Sequence, residues 1–114
     1  MSAKERTLTP NEMLVLLAIL RRVRDSYGVT IRNEIESETG QKISFGVLYT
    51  ILLRLQQEGL LSSRDGESTP ERGGRAKRYF SLTGKGQRVL HQTLQGIDRL
   101  RGVVHGELFV GALL

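Results

Sequence analysis

Four cations and two adjacent glycines stand within seven residues at Arg72-Gly73-Gly74-Arg75-Ala76-Lys77-Arg78. Glycine adopts backbone angles that other residues resist, so the pair suits a tight hairpin tip, from which the flanking guanidinium and ammonium groups reach phosphate oxygens. A charge run is commonly just a solvated face. Here the alternating Tyr79-Phe80-Ser81-Leu82 behind it argues for a strand that presents its cations to a polyanion. Alternation puts Arg75, Lys77 and Tyr79 on one side and Arg78 on the other, which leaves Arg78 free to serve the protein's own carboxylates.

A second constellation lies upstream, in the amphipathic segment from Ser44 to Leu60. Ser44 can cap a helix, and Ile43 and Leu48 occupy the two positions of a hydrophobic staple. Leu48, Ile51 or Leu52, and Leu55 form the inward stripe, which leaves Gly46, Tyr49, Thr50, Leu53, Arg54 and Gln57 facing elsewhere. The Tyr49 phenol can donate to phosphate or support the turn as a half-buried aromatic. Arg54 can meet phosphate or pair with a nearby carboxylate, and it should add affinity more than specificity. Ser44 presents helix N-terminal N–H groups to an anion even while it caps. A groove-sized helix followed by a basic hairpin suits double-stranded DNA. The candidate contacts are Ser44, Gly46, Tyr49, Thr50 and Arg54 on the helix, and Arg75, Lys77 and Arg78 on the hairpin.

Other chemistries lack their residues. The chain has 2 histidines and no cysteine; His91 and His105 without thiolates or HExxH spacing make a poor metal site. Gly84-Lys85-Gly86-Gln87 lacks the full pattern of a phosphate-binding loop, and no GxSxG elbow occurs. Nothing supports catalysis or a cofactor. The 114 residues suffice for one domain, and the net charge of +5 favours nucleic acid or an anionic surface. The start, Met-Ser-Ala-Lys-Glu-Arg, lacks the apolar core of a signal peptide, and Met13 to Leu20 is far short of the roughly 20 residues that span a bilayer. A soluble cytoplasmic protein that does not enter membranes is expected.

Thr9-Pro10-Asn11-Glu12 is a capping box with proline at the first helical position, so the first helix is expected over about residues 9–25. Its middle, Met13 to Leu20, is apolar around the whole circumference, which predicts that one face meets a second chain; a core helix is the alternative. Tyr27-Gly28 breaks the pattern. Val29 to Thr39 resumes it, with Ile31 and Ile35 inward and Gly40 as a left-handed cap. The third helix should run to about Glu58, ended by Gly59. Leu60 to Asp65 reads as a strand, Gly66 to Gly74 as its loop, and Ala76 to Leu82 as the returning strand, with Phe80 and Leu82 on one face. Thr83 can cap a fourth helix, whose Gly84, Gly86, Gly96 and Gly102 require support from packing. Leu90, Leu94, Ile97, Leu100 and Val104 recur as a pairing seam. With Leu16, Leu20 and the tail residue Phe109, they are the candidate dimer interface.

The stretches Leu8-Thr9, Tyr27-Gly28, Ser44-Phe45-Gly46-Val47-Leu48-Tyr49, Arg54-Leu55, Glu58-Gly59-Leu60-Leu61, Thr69 to Arg75, and Arg78 to Thr83 with Gly86 occur in an order that resembles the PadR-like family of winged helix-turn-helix transcriptional regulators. The resemblance covers residues 8–90. It implies a mainly α fold with a β-hairpin wing: a winged helix-turn-helix DNA-binding domain over residues 1–83, and a C-terminal dimerisation helix with an apolar tail over residues 84–114. It also implies that the third helix enters the major groove, the wing tip touches an adjacent backbone, and the fourth helix builds a homodimer. Family members often carry proline after the tyrosine and glutamate after the Arg-Leu pair; here those positions are Thr50 and Gln56. Some small members bind flat aromatic compounds between dimer arms on a tryptophan, which this chain lacks; a small-molecule effector would have only Phe109, Leu94 and Ile97 as apolar candidates. The expected function is sequence-specific repression from a pseudo-palindromic operator. The rival is a winged-helix protein-interaction module without specific DNA binding.

Overall fold

The structure is a computed structural model, and it describes residues 6–68 and 76–103. The elements are α1 (Pro10–Arg21), α2 (Gly28–Thr39), α3 (Phe45–Gln57), β1 (Leu61–Ser68), β2 (Ala76–Leu82) and α4 (Gly84–Val103). The two strands form one antiparallel hairpin.

Local chemistry accounts for where most elements begin. At α1, Thr9 Oγ1 accepts from the Glu12 N–H at 3.2 Å and the Glu12 carboxylate accepts from the Thr9 N–H at 2.8 Å, closing the capping box. At α3, Ser44 Oγ accepts from the Val47 N–H at 3.2 Å, while Ile43 and Leu48 are both buried as the staple requires. Gly40 ends α2 with φ 76°, in the left-handed region that glycine enters without steric cost.

The first helix is shorter than expected. It stops at Arg21 because Arg22 leaves helical geometry and Ser26 folds back, its hydroxyl donating to the carbonyls of Ile19, at 3.0 Å, and of Arg22. Buried serine thus satisfies helix-end carbonyls that would otherwise need another turn. The turn also reaches the hairpin: the Phe80 N–H donates to the Ser26 carbonyl at 2.8 Å.

Much of the apolar surface of α1 is used inside the chain, which corrects the place of Leu16 in the expected dimer interface, while Met13, Leu14 and Leu17 are only partly buried and Leu20 is exposed. Val15, Leu16 and Ile19 are at most 1% exposed, packed with Ile31, Leu48, Leu52 and Leu55 into one core, and α2, α3, β2 and α4 all touch the helix. Leu16 therefore has no surface to offer a partner. The same holds for Leu90, which is 3% exposed beside Val89. Leu20 at the end of α1 does reach the surface, at 41%.

The hairpin pairs Leu61 with Leu82 through to Asp65 with Arg78, then shifts register before Ser68 meets Ala76. β1 thus extends three residues beyond the expected strand. Thr83 joins hairpin to α4: its hydroxyl accepts from the Gly86 N–H at 3.0 Å and donates to the Gly59 carbonyl at 2.6 Å. Gly86 lies so close to the chain that a Cβ there would sit 2.1 Å from the Leu60 carbonyl oxygen. Glycine at 86 is therefore what lets α4 dock on the end of α3, whatever it costs in helix propensity.

Candidate nucleic-acid interface

α3 is held by one stripe and presents the rest. Leu48, Ile51, Leu52 and Leu55 are buried, so both Ile51 and Leu52 face inward, whereas Gly46, Tyr49, Thr50, Leu53, Arg54 and Gln57 are exposed. The centre of this outward face is Gly46, Thr50, Leu53 and Gln57. One edge, toward α2, carries Phe45 and Tyr49, and the other, toward α1, carries Val47 and Arg54. A Cβ built on Gly46 would meet nothing within 4 Å. No neighbour within the chain requires a glycine there.

The α2 edge is stiffened by rings. Phe45 and Tyr49 stack with centroids 6.3 Å apart, and the Arg32 guanidinium lies 4.6 Å above the Phe45 ring while its Nε donates to the Ile43 carbonyl at 2.7 Å. Tyr49 sits with its hydroxyl end against Gly28, where a Cβ would come within 2.2 Å of that oxygen. Tyr49 therefore buttresses the start of α2 while remaining 45% exposed. Both roles weighed for it are compatible with this position.

The α1 edge borders a shallow groove of about 340 Å³, lined by Thr9 and Asn11 on one side and Gly46, Val47, Thr50 and Arg54 on the other. Arg54 is 48% exposed, with Nη1 3.6 Å from the Glu12 carboxylate. Glu12 is the centre of a charged cluster that its capping role alone did not suggest. Its side chain is 1% exposed and accepts from both Arg6 Nη atoms, at 2.6 and 2.7 Å, and Arg6 in turn bridges to Glu58. Hydrogen bonds from Arg6 hold the Glu12 carboxyl at about 2, against the opposing effect of burial and with help from the Thr9 N–H. The Arg6 guanidinium is raised above its ordinary value by Glu12 and Glu58.

On the hairpin, Lys77 and Tyr79 share the face turned toward α2. The Lys77 ammonium lies 4.3 Å from the Tyr27 ring centroid, Tyr27 meets Tyr79 edge-on at 5.6 Å, and Arg64 lies 4.7 Å from the Tyr79 ring. Lys77 is thereby held near the loop end of the paired strands, against the residue that precedes α2. Arg78 points to the other side and pairs with Asp65 at 3.4 Å, the internal use that strand alternation allowed. The expected contact Arg75 lies outside the described residues, as do Val104 and Phe109. Sequence reasoning did not single out Arg32, Arg64, Asn11 as a groove residue or the Arg6–Glu12–Glu58 cluster; the rings that Arg32 and Arg64 meet, Phe45 and Tyr79, lie 13 and 15 residues away in the chain, so no local signal marks them.

α4 presents Ile97 at 39% and Leu100 at 77% exposure, with Leu94 half-buried against the core. Among the described residues there is no cluster of metal-ligating side chains, and no helix is long and apolar enough to cross a membrane.

Three helices, a two-stranded wing joined to the α1–α2 turn by one backbone hydrogen bond, and a fourth helix define a winged helix-turn-helix protein. The chain belongs to the transcriptional regulator PadR-like family, whose model matches residues 16–92. The fold is similar to that of a PadR-like transcription factor from Bacteroides fragilis, with TM-score 0.68 and 29% identity over 83% of this chain and 86% of that one. It is similar also to a PadR family transcriptional regulator from Eggerthella lenta, at TM-score 0.66 and 26% identity over 86% and 83%. A PadR-like regulator from Bacillus cereus, at 24% identity, shares the fold with TM-score 0.69 over 86% and 90%. No curated protein matches the chain significantly. The family is one of transcriptional regulators, not of enzymes.

Proposed function

We propose that the protein is a sequence-specific DNA-binding repressor that acts as a homodimer on a pseudo-palindromic operator in the cytoplasm. The observation that carries this is the outward face of α3. It is exposed, opens on Gly46 with nothing within 4 Å, and has Arg54 on one side and Arg32, over Phe45, on the other, with Lys77 held on the nearby Tyr27 ring. A B-DNA major groove about 12 Å wide admits a helix of this kind, and the flanking cations suit the phosphates along both rims. Ser44, Gly46, Tyr49, Thr50 and Arg54 are the helix contacts, with Asn11 bordering the same groove as Arg54. Lys77, and Arg75 further along the wing, hold the adjacent backbone. Arg78, paired with Asp65, contributes less.

The dimer is proposed to form through α4, on the exposed Ile97 and Leu100 with Leu94 beside them, continued by Val104 and Phe109 and bordered by Leu20 of α1. At 20 residues α4 spans about 30 Å, enough to pair along its length. Two α3 helices would then enter successive major grooves about 34 Å apart. Selection of bound duplexes from a random pool tests this. Recovered sequences should share an inverted repeat with half-sites about one helical turn apart, and a pool that stays random after repeated rounds would refute it.

A further inference from the structure

Resting on that DNA-binding reading, we infer that the protein recognises its site mainly by apolar contact with thymine methyl groups, made by Val47 and Thr50 beside the open backbone of Gly46. Serine and threonine hydroxyls read bases less selectively; hydrogen-bond readout that picks out one base relies on a short set of side chains, arginine or lysine for guanine, asparagine or glutamine for adenine, and aspartate or glutamate for cytosine. None of these occurs in the first two turns of α3, Phe45-Gly46-Val47-Leu48-Tyr49-Thr50-Ile51-Leu52. These are the turns that a recognition helix brings closest to the bases.

The polar groups at the start of the helix are few, and each is partly committed within the chain. Ser44 Oγ caps the helix at 3.2 Å, and the Tyr49 hydroxyl end rests against Gly28. The Thr50 hydroxyl donates to the Gly46 carbonyl at 2.9 Å, so it can accept a hydrogen bond but no longer donate one. What remains outward is aliphatic: Val47 is 47% exposed, Leu53 53%, and Thr50 adds a methyl group at the centre of the face. An exposed valine and leucine on a face rimmed by cations are poorly matched to water and well matched to the one apolar feature of the major groove, the C5-methyl of thymine. Gly46 brings the backbone of the first turn within reach of that surface, because nothing within 4 Å fills the place of its missing side chain. Gln57 and Arg54, the bond-forming residues of the exposed face, stand in the third and fourth turns. Arg54 is also drawn toward Glu12, at 3.6 Å. They suit the backbone better than the centre of a half-site.

The test uses the duplex recovered by selection, compared with copies in which deoxyuridine replaces thymidine one position at a time. This removes one methyl and keeps every hydrogen-bonding group. Burying a methyl is worth about a fourfold change in affinity, so one or two thymines per half-site should each weaken binding by about fourfold, and symmetric replacement in both half-sites by about fifteenfold. Thr50→Ser and Val47→Ala, both at exposed positions, should each abolish the effect of deoxyuridine at one particular thymine while far-ultraviolet circular dichroism stays unchanged. A specific duplex indifferent to every replacement, with both variants retaining wild-type preference, overturns this inference and leaves DNA binding standing. Failure to recover any specific duplex, with α3 instead binding a protein, overturns both.

Discussion

Replacing Glu12 with glutamine removes one charge and keeps the capping geometry, because glutamine at the third helical position can still accept from the Thr9 N–H. The carboxylate is 1% exposed, bonded to Arg6 at 2.6 and 2.7 Å, and lowered from 4.5 to about 2. Each pH unit of that displacement corresponds to about 1.4 kcal/mol, so the ionised form contributes roughly 3 kcal/mol. With Oε1 still accepting from the Thr9 N–H and Arg6 Nη1, the amide would turn its N–H donors toward Arg6 Nη2, and the guanidinium would keep Glu58 and the Thr7 carbonyl but lose the charge opposite it; since Arg6 is 30% exposed, water recovers part of the loss. The expected cost at pH 7 is about 2–3 kcal/mol, or roughly 10–15 °C in Tm for a domain of this size. A carboxyl lowered on folding stabilises fully above its unfolded value near 4.5, and that contribution disappears as pH falls toward 2. Glu12→Gln is blind to this titration. Urea unfolding followed by circular dichroism, at matched protein concentration, should therefore show a gap between wild type and variant that is constant from pH 7 to 5 and closes between pH 4.5 and 2. A gap below about 0.5 kcal/mol at pH 7 would refute the role assigned to the cluster. A gap of the expected size that ignores pH would assign it to packing.

Gly46→Ala should raise Tm by a degree or more, since alanine gains about 0.5–1 kcal/mol in a helix and its methyl meets nothing, while gel-shift affinity for a selected duplex falls at least tenfold; unchanged affinity would mean that α3 does not approach DNA at its first turn. Gly86→Ala should cost more than about 2 kcal/mol in urea unfolding, because its methyl would collide with the Leu60 carbonyl oxygen. Lys77→Ala should reduce the salt dependence of binding by about one phosphate contact per chain, whereas Arg78→Ala, which breaks a pair with Asp65, should leave that slope nearly unchanged. A chain truncated after Leu90 should sediment as a monomer; a dimer would place the principal interface elsewhere than on α4.

Features that depend on a few neighbouring residues were readable in advance. The Thr9–Glu12 box, the Ser44 cap with its Ile43–Leu48 staple, the Gly40 turn and the exposed set of α3 all follow from spacing, and the structure has them. What sequence did not reveal depends on distant partners. Leu16 and Leu90 looked like interface residues because periodicity marks an apolar face without saying which protein covers it; here the same chain does. Ser26 shortens α1 by reaching back seven residues to Ile19, and Arg6 meets Glu58 across 52 residues. No local pattern encodes either. In the wing, alternation correctly separated Lys77 from Arg78, but the ring of Tyr27 that positions Lys77 comes from another element.

The central claim is that two copies of this chain hold one duplex through α3 and the wing. Sedimentation of a labelled, selected duplex with increasing protein, repeated across salt concentrations, measures stoichiometry and electrostatic contact together. Two chains should bind per duplex without a stable one-chain species, and the slope of log affinity against log salt should correspond to about 6–10 phosphates. One chain per duplex, or an affinity indifferent to salt, would contradict the account.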